Sequence, residues 1–134
     1  NVPESPFVLH LPNVMHLATD VTGVANDGAS SLALAASLHP SAAVGGTPTP
    51  AAVALIGELE GMDRGRYAGP VGWMAANGDG EWGIALRSGC YVPGDPSTLR
   101  IFAGCGIVAG SDPEAEVSEA DAKFVPMRDA LSGR

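Results

Sequence analysis

The chain has 134 residues, a formal net charge of −8, 16% charged residues and 46% apolar residues. That length fits one domain with an ordinary apolar content. An acidic chain with a single lysine is a poor partner for nucleic acid, and no apolar run approaches the ~20 residues needed to cross a membrane.

In chain order, Val8 to Val21 alternates loosely and predicts one or two strands. Asn26-Asp27-Gly28 reads as a turn, and Ser30 to Leu38 as a short helix stopped by Pro40. Ala42 to Thr47 reads as a loop of small residues. Thr47 or Thr49 can then cap a helix in which Ala52, Leu55, Ile56 and Leu59 recur at i, i+3, i+4 and i+7, ending at Gly61. An antiparallel meander follows: a strand over Tyr67 to Ala75, a hairpin turn at Asn77-Gly78-Asp79-Gly80, and a second strand with Trp82, Ile84 and Leu86 on one face. After a turn at Pro93-Gly94-Asp95-Pro96, a third strand is predicted over Leu99 to Val108, interrupted by Gly104-Cys105-Gly106. Asp112-Pro113 opens the last helix, with Pro126 predicted to kink or end it. Helices flanking hairpin-linked strands argue an α+β class.

Several residues could carry chemistry. Glu116, Glu119 and Lys123 stand at i, i+3 and i+7, on one side of the last helix and bordering Ala120, Phe124 and Met127. Carboxylates beside an apolar face are paired or bind a cation; a Glu119–Lys123 ion pair is the plain reading. Arg87, expected mid-strand, is a fork suited to a carboxylate if its face lines a cleft. The Gly104-Cys105-Gly106 amides could accept a second carboxylate, and a bulge is the plain alternative. His16 alternates with Leu17 and has a structural reading as well as a functional one. Cys90 and Cys105 are too few for a disulfide framework and read as small buried thiols in a reducing cytosol. No phosphate-binding Gly loop, zinc spacing or serine elbow is present. An arginine, a Gly-rich strand, a histidine and a carboxylate-bearing helix together suggest a site for a small dianion. The carboxylates would repel it unless a hard divalent cation such as Mg²⁺ lay between.

Seven blocks then occur in order: His16-Leu-Ala-Thr19, Leu38-His-Pro-Ser-Ala-Ala-Val-Gly-Gly46, Glu58-Leu-Glu-Gly-Met-Asp63, Tyr67-Ala-Gly-Pro-Val-Gly-Trp73, Ala85-Leu-Arg87, Phe102-Ala-Gly-Cys-Gly-Ile-Val108 and Glu116-x-x-Glu119-x-x-x-Lys123. They resemble the C-terminal half of the chorismate-binding enzymes, and most of all the isochorismate synthases. The resemblance implies that residues 1–134 are the C-terminal portion of one catalytic domain, itself an α/β sandwich, whose upstream half is absent here. The opening Asn1-Val2-Pro3-Glu4, without an initiator methionine, fits that expectation of a fragment.

The resemblance also implies roles. Glu119, with Glu116 beside it, would coordinate Mg²⁺. Lys123 would reach a substrate carboxylate, Arg87 and Tyr67 would bind the enolpyruvyl side chain, Gly104 and Gly106 would offer N–H groups, and His16 would line the ring pocket. Ala43 stands where pyruvate-eliminating relatives tend to have threonine, which points to an isomerase converting chorismate to isochorismate; the free thiols place it in the cytoplasm. The alternatives are a lyase of the same family, making salicylate, anthranilate or aminodeoxychorismate, and a module that binds without chemistry. The family's base lysine, acid glutamate and first metal glutamate lie in upstream segments with no counterpart in this chain. The implied partners are therefore chorismate and the missing N-terminal half, in a pathway to a siderophore or a quinone.

Overall fold

The computed structural model describes residues 1–10 and 15–133. Ten elements follow one another: β1 (Phe7–His10), β2 (Met15–Ala18), α1 (Ser31–Leu38), α2 (Ala42–Gly45), α3 (Thr49–Leu59), β3 (Pro70–Met74), β4 (Gly80–Ile84), β5 (Gly89–Val92), β6 (Asp95–Ile101) and α4 (Pro113–Ser132). Among the described residues the strands form three separate antiparallel pairs, β1–β2, β3–β4 and β5–β6. The α+β class and the antiparallel hairpins are as expected, but the pairs do not join into one continuous meander. Part of the predicted Val8–Val21 strand region, residues 11–14, lies outside the described residues.

Local chemistry explains the elements. Ser30 caps α1 by accepting from the Ala33 amide at 3.2 Å. The Ser31 amide donates to the Gly78 carbonyl at 2.9 Å, and Trp82 Nε1 donates to Ser31 Oγ at 3.2 Å. These bonds seat α1 on the β3–β4 hairpin. The small-residue stretch after Pro40 forms one helical turn, α2, rather than a loop. Gly78, at φ +90°, lets the hairpin close where an L side chain would be strained.

Three predicted boundaries shift. Tyr67 precedes β3, in a turn where its own amide donates to the Arg64 carbonyl. Arg87 is not mid-strand: β4 ends at Ile84, the Leu86 amide folds back onto the Ile84 carbonyl at 2.7 Å, and Arg87 takes φ +47° in the bend before β5. Gly104-Cys105-Gly106 does not interrupt a strand. The β5–β6 pairing runs out at Gly89↔Ile101, the Phe102 amide makes one more bond to the Ser88 carbonyl, and the glycines follow as irregular chain. Pro126 does not end α4, which runs on to a left-handed Gly133 cap; enough flanking i→i−4 bonds remain to carry the helix past one missing donor.

The buried centre is small. Of the hydrophobic residues only Ala68 and Phe102 are buried among the described residues, while Leu17, Leu38 and Leu59 are each about three-quarters exposed. Cys90 is also exposed, against the expectation of a buried thiol, because it lies on an uncovered strand; Cys105 is partly covered. No helix among the described residues is long and apolar enough to cross a membrane.

Candidate active site

The best-organised part of the chain is where α4 meets the segment after β6. Asp112 caps α4 by accepting from the Ala115 amide at 2.9 Å, and Pro113 follows where no donor is required. Glu114 and Glu116 in the first turn suit the positive end of the helix. Cys105 reaches over from the Gly-rich segment, its thiol 3.4 Å from the Glu116 carbonyl oxygen. The Glu116 carboxyl is held below the usual range, first by a hydrogen bond from Ser111, then by one from the Cys105 thiol and by attraction to Lys123. It is therefore a carboxylate at neutral pH. Burial pushes the Cys105 thiol up, and the neighbouring Glu116 pushes it the same way, so it stays protonated and available to donate.

One turn along α4, Lys123 Nζ bridges two oxygens. It lies 2.5 Å from Glu119 Oε1 and 3.0 Å from the Gly104 carbonyl oxygen. The plain i, i+4 pair expected from the sequence is thus present, and it also anchors the Gly-rich segment. That carbonyl contact turns Gly104 toward α4. The amides of Gly104, Cys105 and Gly106 have no acceptor among the described residues. A run of unused N–H groups beside carboxylates is chemically suited to an anion that arrives with a cation.

Tyr67 closes the other side. Its ring stacks on Phe102 with centroids 5.0 Å apart and planes 12° from parallel. Arg64 lies over the same ring at 5.5 Å, held by two hydrogen bonds to the Glu60 carboxylate of 2.7 and 2.5 Å. A Cβ at Gly104 would stand 2.9 Å from the Tyr67 hydroxyl, so a larger residue there would have to push that hydroxyl aside. Arg64, Phe102 and Ser111 had no role in the sequence reading. Arg64 carried a signal, its i+4 spacing from Glu60, and Phe102 an aromatic next to the glycine pair; Ser111 gave only its place before the N-cap.

The structure thus gathers Glu116, Glu119, Lys123, Gly104, Cys105, Gly106 and Tyr67. The remaining candidates are not drawn in by any hydrogen bond among the described residues. His16 is exposed on β2, paired in register with Leu9. Ala43 is exposed on α2. Arg87 is partly buried in its bend, and among the described residues no carboxylate pairs with its guanidinium. A cavity of about 230 Å³ opens behind Tyr67, lined by His39, Val44, Ile56 and Arg64 among others.

Glu116 and Glu119 offer hard oxygen donors on one helical face, the donor chemistry that Mg²⁺ takes. Among the described residues no third acid, histidine or cysteine joins them in a metal-binding group. The two glutamates therefore fit as part of a shell that ligand oxygens, water or further groups would complete.

The sequence is similar to known proteins along nearly its whole length. Over residues 1–132 the sequence matches the family described as chorismate binding enzyme. It is 43% identical over 131 residues to the isochorismate synthase MenF of Bacillus subtilis, covering 98% of this chain and 27% of that protein. A salicylate biosynthesis isochorismate synthase of Pseudomonas aeruginosa gives the same identity and the same coverage. A crystal structure from Bacillus anthracis, assigned as a 2,3-dihydroxybenzoate-specific isochorismate synthase, DhbC, superposes with a TM-score of 0.90 at 44% identity, over 98% of this chain and 35% of that one. The chain thus spans about a quarter to a third of the length of these relatives. A match across nearly every residue establishes that the chain belongs to the chorismate binding enzyme family.

Proposed function

We propose that this chain is the C-terminal part of the catalytic domain of an isochorismate synthase acting in the cytoplasm, and that it supplies the half of the site that holds the carboxylates of chorismate. The observation that carries the reading is that α4, bearing Glu116 and Glu119, is tied to the Gly104-Cys105-Gly106 segment through the Glu116 carbonyl and through Lys123, while that segment's amides stay unused. Carboxylates on a helix joined to a segment of free N–H donors suit a dianion bound through a cation.

In this reading Arg87 and Tyr67 take the enolpyruvyl side chain, the arginine as a two-toothed partner for its carboxylate. Gly104 and Gly106 donate backbone N–H groups, Lys123 reaches the ring carboxylate and His16 borders the ring. Mg²⁺, held by Glu116 and Glu119, would add positive charge beside that ring carboxylate. The reaction is balanced without a redox partner: a water oxygen bonds to ring C2, the double bonds shift, and the C4 hydroxyl departs with a proton as water. The water that attacks must lose a proton and the leaving hydroxyl must gain one. In the resembled family a lysine and a glutamate upstream of this region do that work, so the rest of the domain is the partner this chain needs. The exposed Leu17, Leu38 and Leu59 give that remainder apolar surface to cover.

The test is Glu119→Gln in the full-length protein. Losing one of few protein ligands to Mg²⁺ should remove several kcal/mol of transition-state stabilisation while the fold is kept. Isochorismate is quantified by chromatography across a Mg²⁺ titration. Parent-like turnover in the variant would overturn the metal assignment.

A further inference from the structure

Lys123 does more in this arrangement than wait for a substrate. Its ammonium is the chain's only lysine charge, and it is already in use. It sits 2.5 Å from Glu119 Oε1 and 3.0 Å from the Gly104 carbonyl oxygen, with about a quarter of the side chain exposed. Two oxygens, one anionic and one neutral, from two different elements converge on that cation. A divalent ion on either Glu119 oxygen, at about 2.0–2.1 Å for Mg²⁺, would lie within a few ångström of that ammonium and be repelled by it. Glu116, by contrast, makes no ion pair among the described residues and needs no such displacement.

We propose that Lys123 is an internal counter-ion that closes Glu119 to divalent cations until its ammonium is displaced. The proposal rests on the reading of Glu119 as a metal ligand. A compact ammonium on a flexible stem suits the task, since it can leave one oxygen and find another within its reach. Once displaced, the same charge is free for an anionic ligand. Cation and anion would then favour one Lys123 position, and each would strengthen the other's binding, as linkage requires.

The experiment titrates Mg²⁺ by calorimetry, and Mn²⁺ by electron paramagnetic resonance, into the full-length protein without chorismate. Four proteins are compared: the parent, Lys123→Met, Lys123→Arg and Glu119→Gln. A unit charge about 5 Å from a divalent ion opposes binding by roughly tenfold in water before salt screening. Lys123→Met should therefore bind the metal about three- to tenfold more tightly, and Lys123→Arg, which keeps the charge, should stay near the parent. Circular dichroism checks that all four retain the fold. Equal or weaker affinity in a folded Lys123→Met protein, with Glu119→Gln still abolishing binding, overturns the counter-ion while leaving the metal ligand standing. Unchanged affinity in Glu119→Gln overturns both.

Discussion

The α4 region and the β1–β2 hairpin carry residues of the same proposed site but are built in opposite ways. Around α4, side chains from distant positions tie elements together: Lys123 to the Gly104 carbonyl, Cys105 to the Glu116 carbonyl, and Tyr67 against Phe102. In the hairpin, β1 and β2 pair with each other, every residue of β1 is exposed, and Leu17 is 76% exposed. A two-stranded hairpin without a packed face is marginal in water. The α4 region organises its own side chains, whereas the hairpin that carries His16 needs a surface to lie on.

The largest effect expected from that difference is in the isolated chain. With Mg²⁺ and chorismate it should form no isochorismate above the uncatalysed background, because neither proton-transfer group of the resembled family is within it. Their loss removes two factors of roughly 10²–10⁴ in rate. A chromatographic product assay against the full-length protein measures this. Turnover within a hundredfold of the control would show that the acid and base lie inside this chain, with Glu58, Glu60, His16 and Lys123 as the groups to search.

A smaller effect probes the organised region directly. Gly104→Ala would place a Cβ 2.9 Å from the Tyr67 hydroxyl. Tyr67 cannot swing away freely, since Phe102 stacks on one part of it and Arg64 lies over the ring. Overpacking of this kind costs about 1–3 kcal/mol. In the full-length protein the expected outcome is a KM for chorismate raised by about tenfold, with a lowered unfolding midpoint. If both stay at parent values, the Tyr67–Gly104 approach is not part of the working site.

The contrast also explains what could be read from residues alone. The helix cap at Asp112 was legible because it depends on neighbours a few residues away, whereas the cap expected at Thr47 or Thr49 does not form: α3 begins at Thr49 behind Pro48, with no side-chain cap bond. The i, i+4 pairing of Glu119 with Lys123 was legible for the same reason. The bend at Arg87 was not: alternation of Ile84, Leu86 and their neighbours mimics a strand, while the chain turns where the Leu86 amide reaches back to Ile84. Nor was the end of β6 before the glycines, which is set by where β5 stops offering partners. Pairing of that kind is a long-range fact with no local signature. The Lys123–Gly104 bridge is of the same sort, joining residues 19 apart.

The smallest effect concerns the support behind Tyr67. Two hydrogen bonds from Arg64 hold the Glu60 carboxyl below the ordinary glutamate range, and the same pairing raises Arg64. A carboxyl with a lowered folded pKa binds fewer protons in the native state than in the unfolded one. Its stabilisation is therefore fully present above the unfolded value, near 4.3, and fades as pH falls through the folded value. Both side chains are between a quarter and a third exposed, so solvent screens the pair and its worth is about 0.3–0.5 kcal/mol. Glu60→Gln should lower stability by that amount at pH 7, and the gap to the parent should close on acidification below about pH 4. Urea unfolding of both full-length proteins across that range measures it. A gap that persists unchanged at pH 3 would mean that Glu60 acts through packing rather than charge, and that Arg64 is held over Tyr67 by something other than this pair.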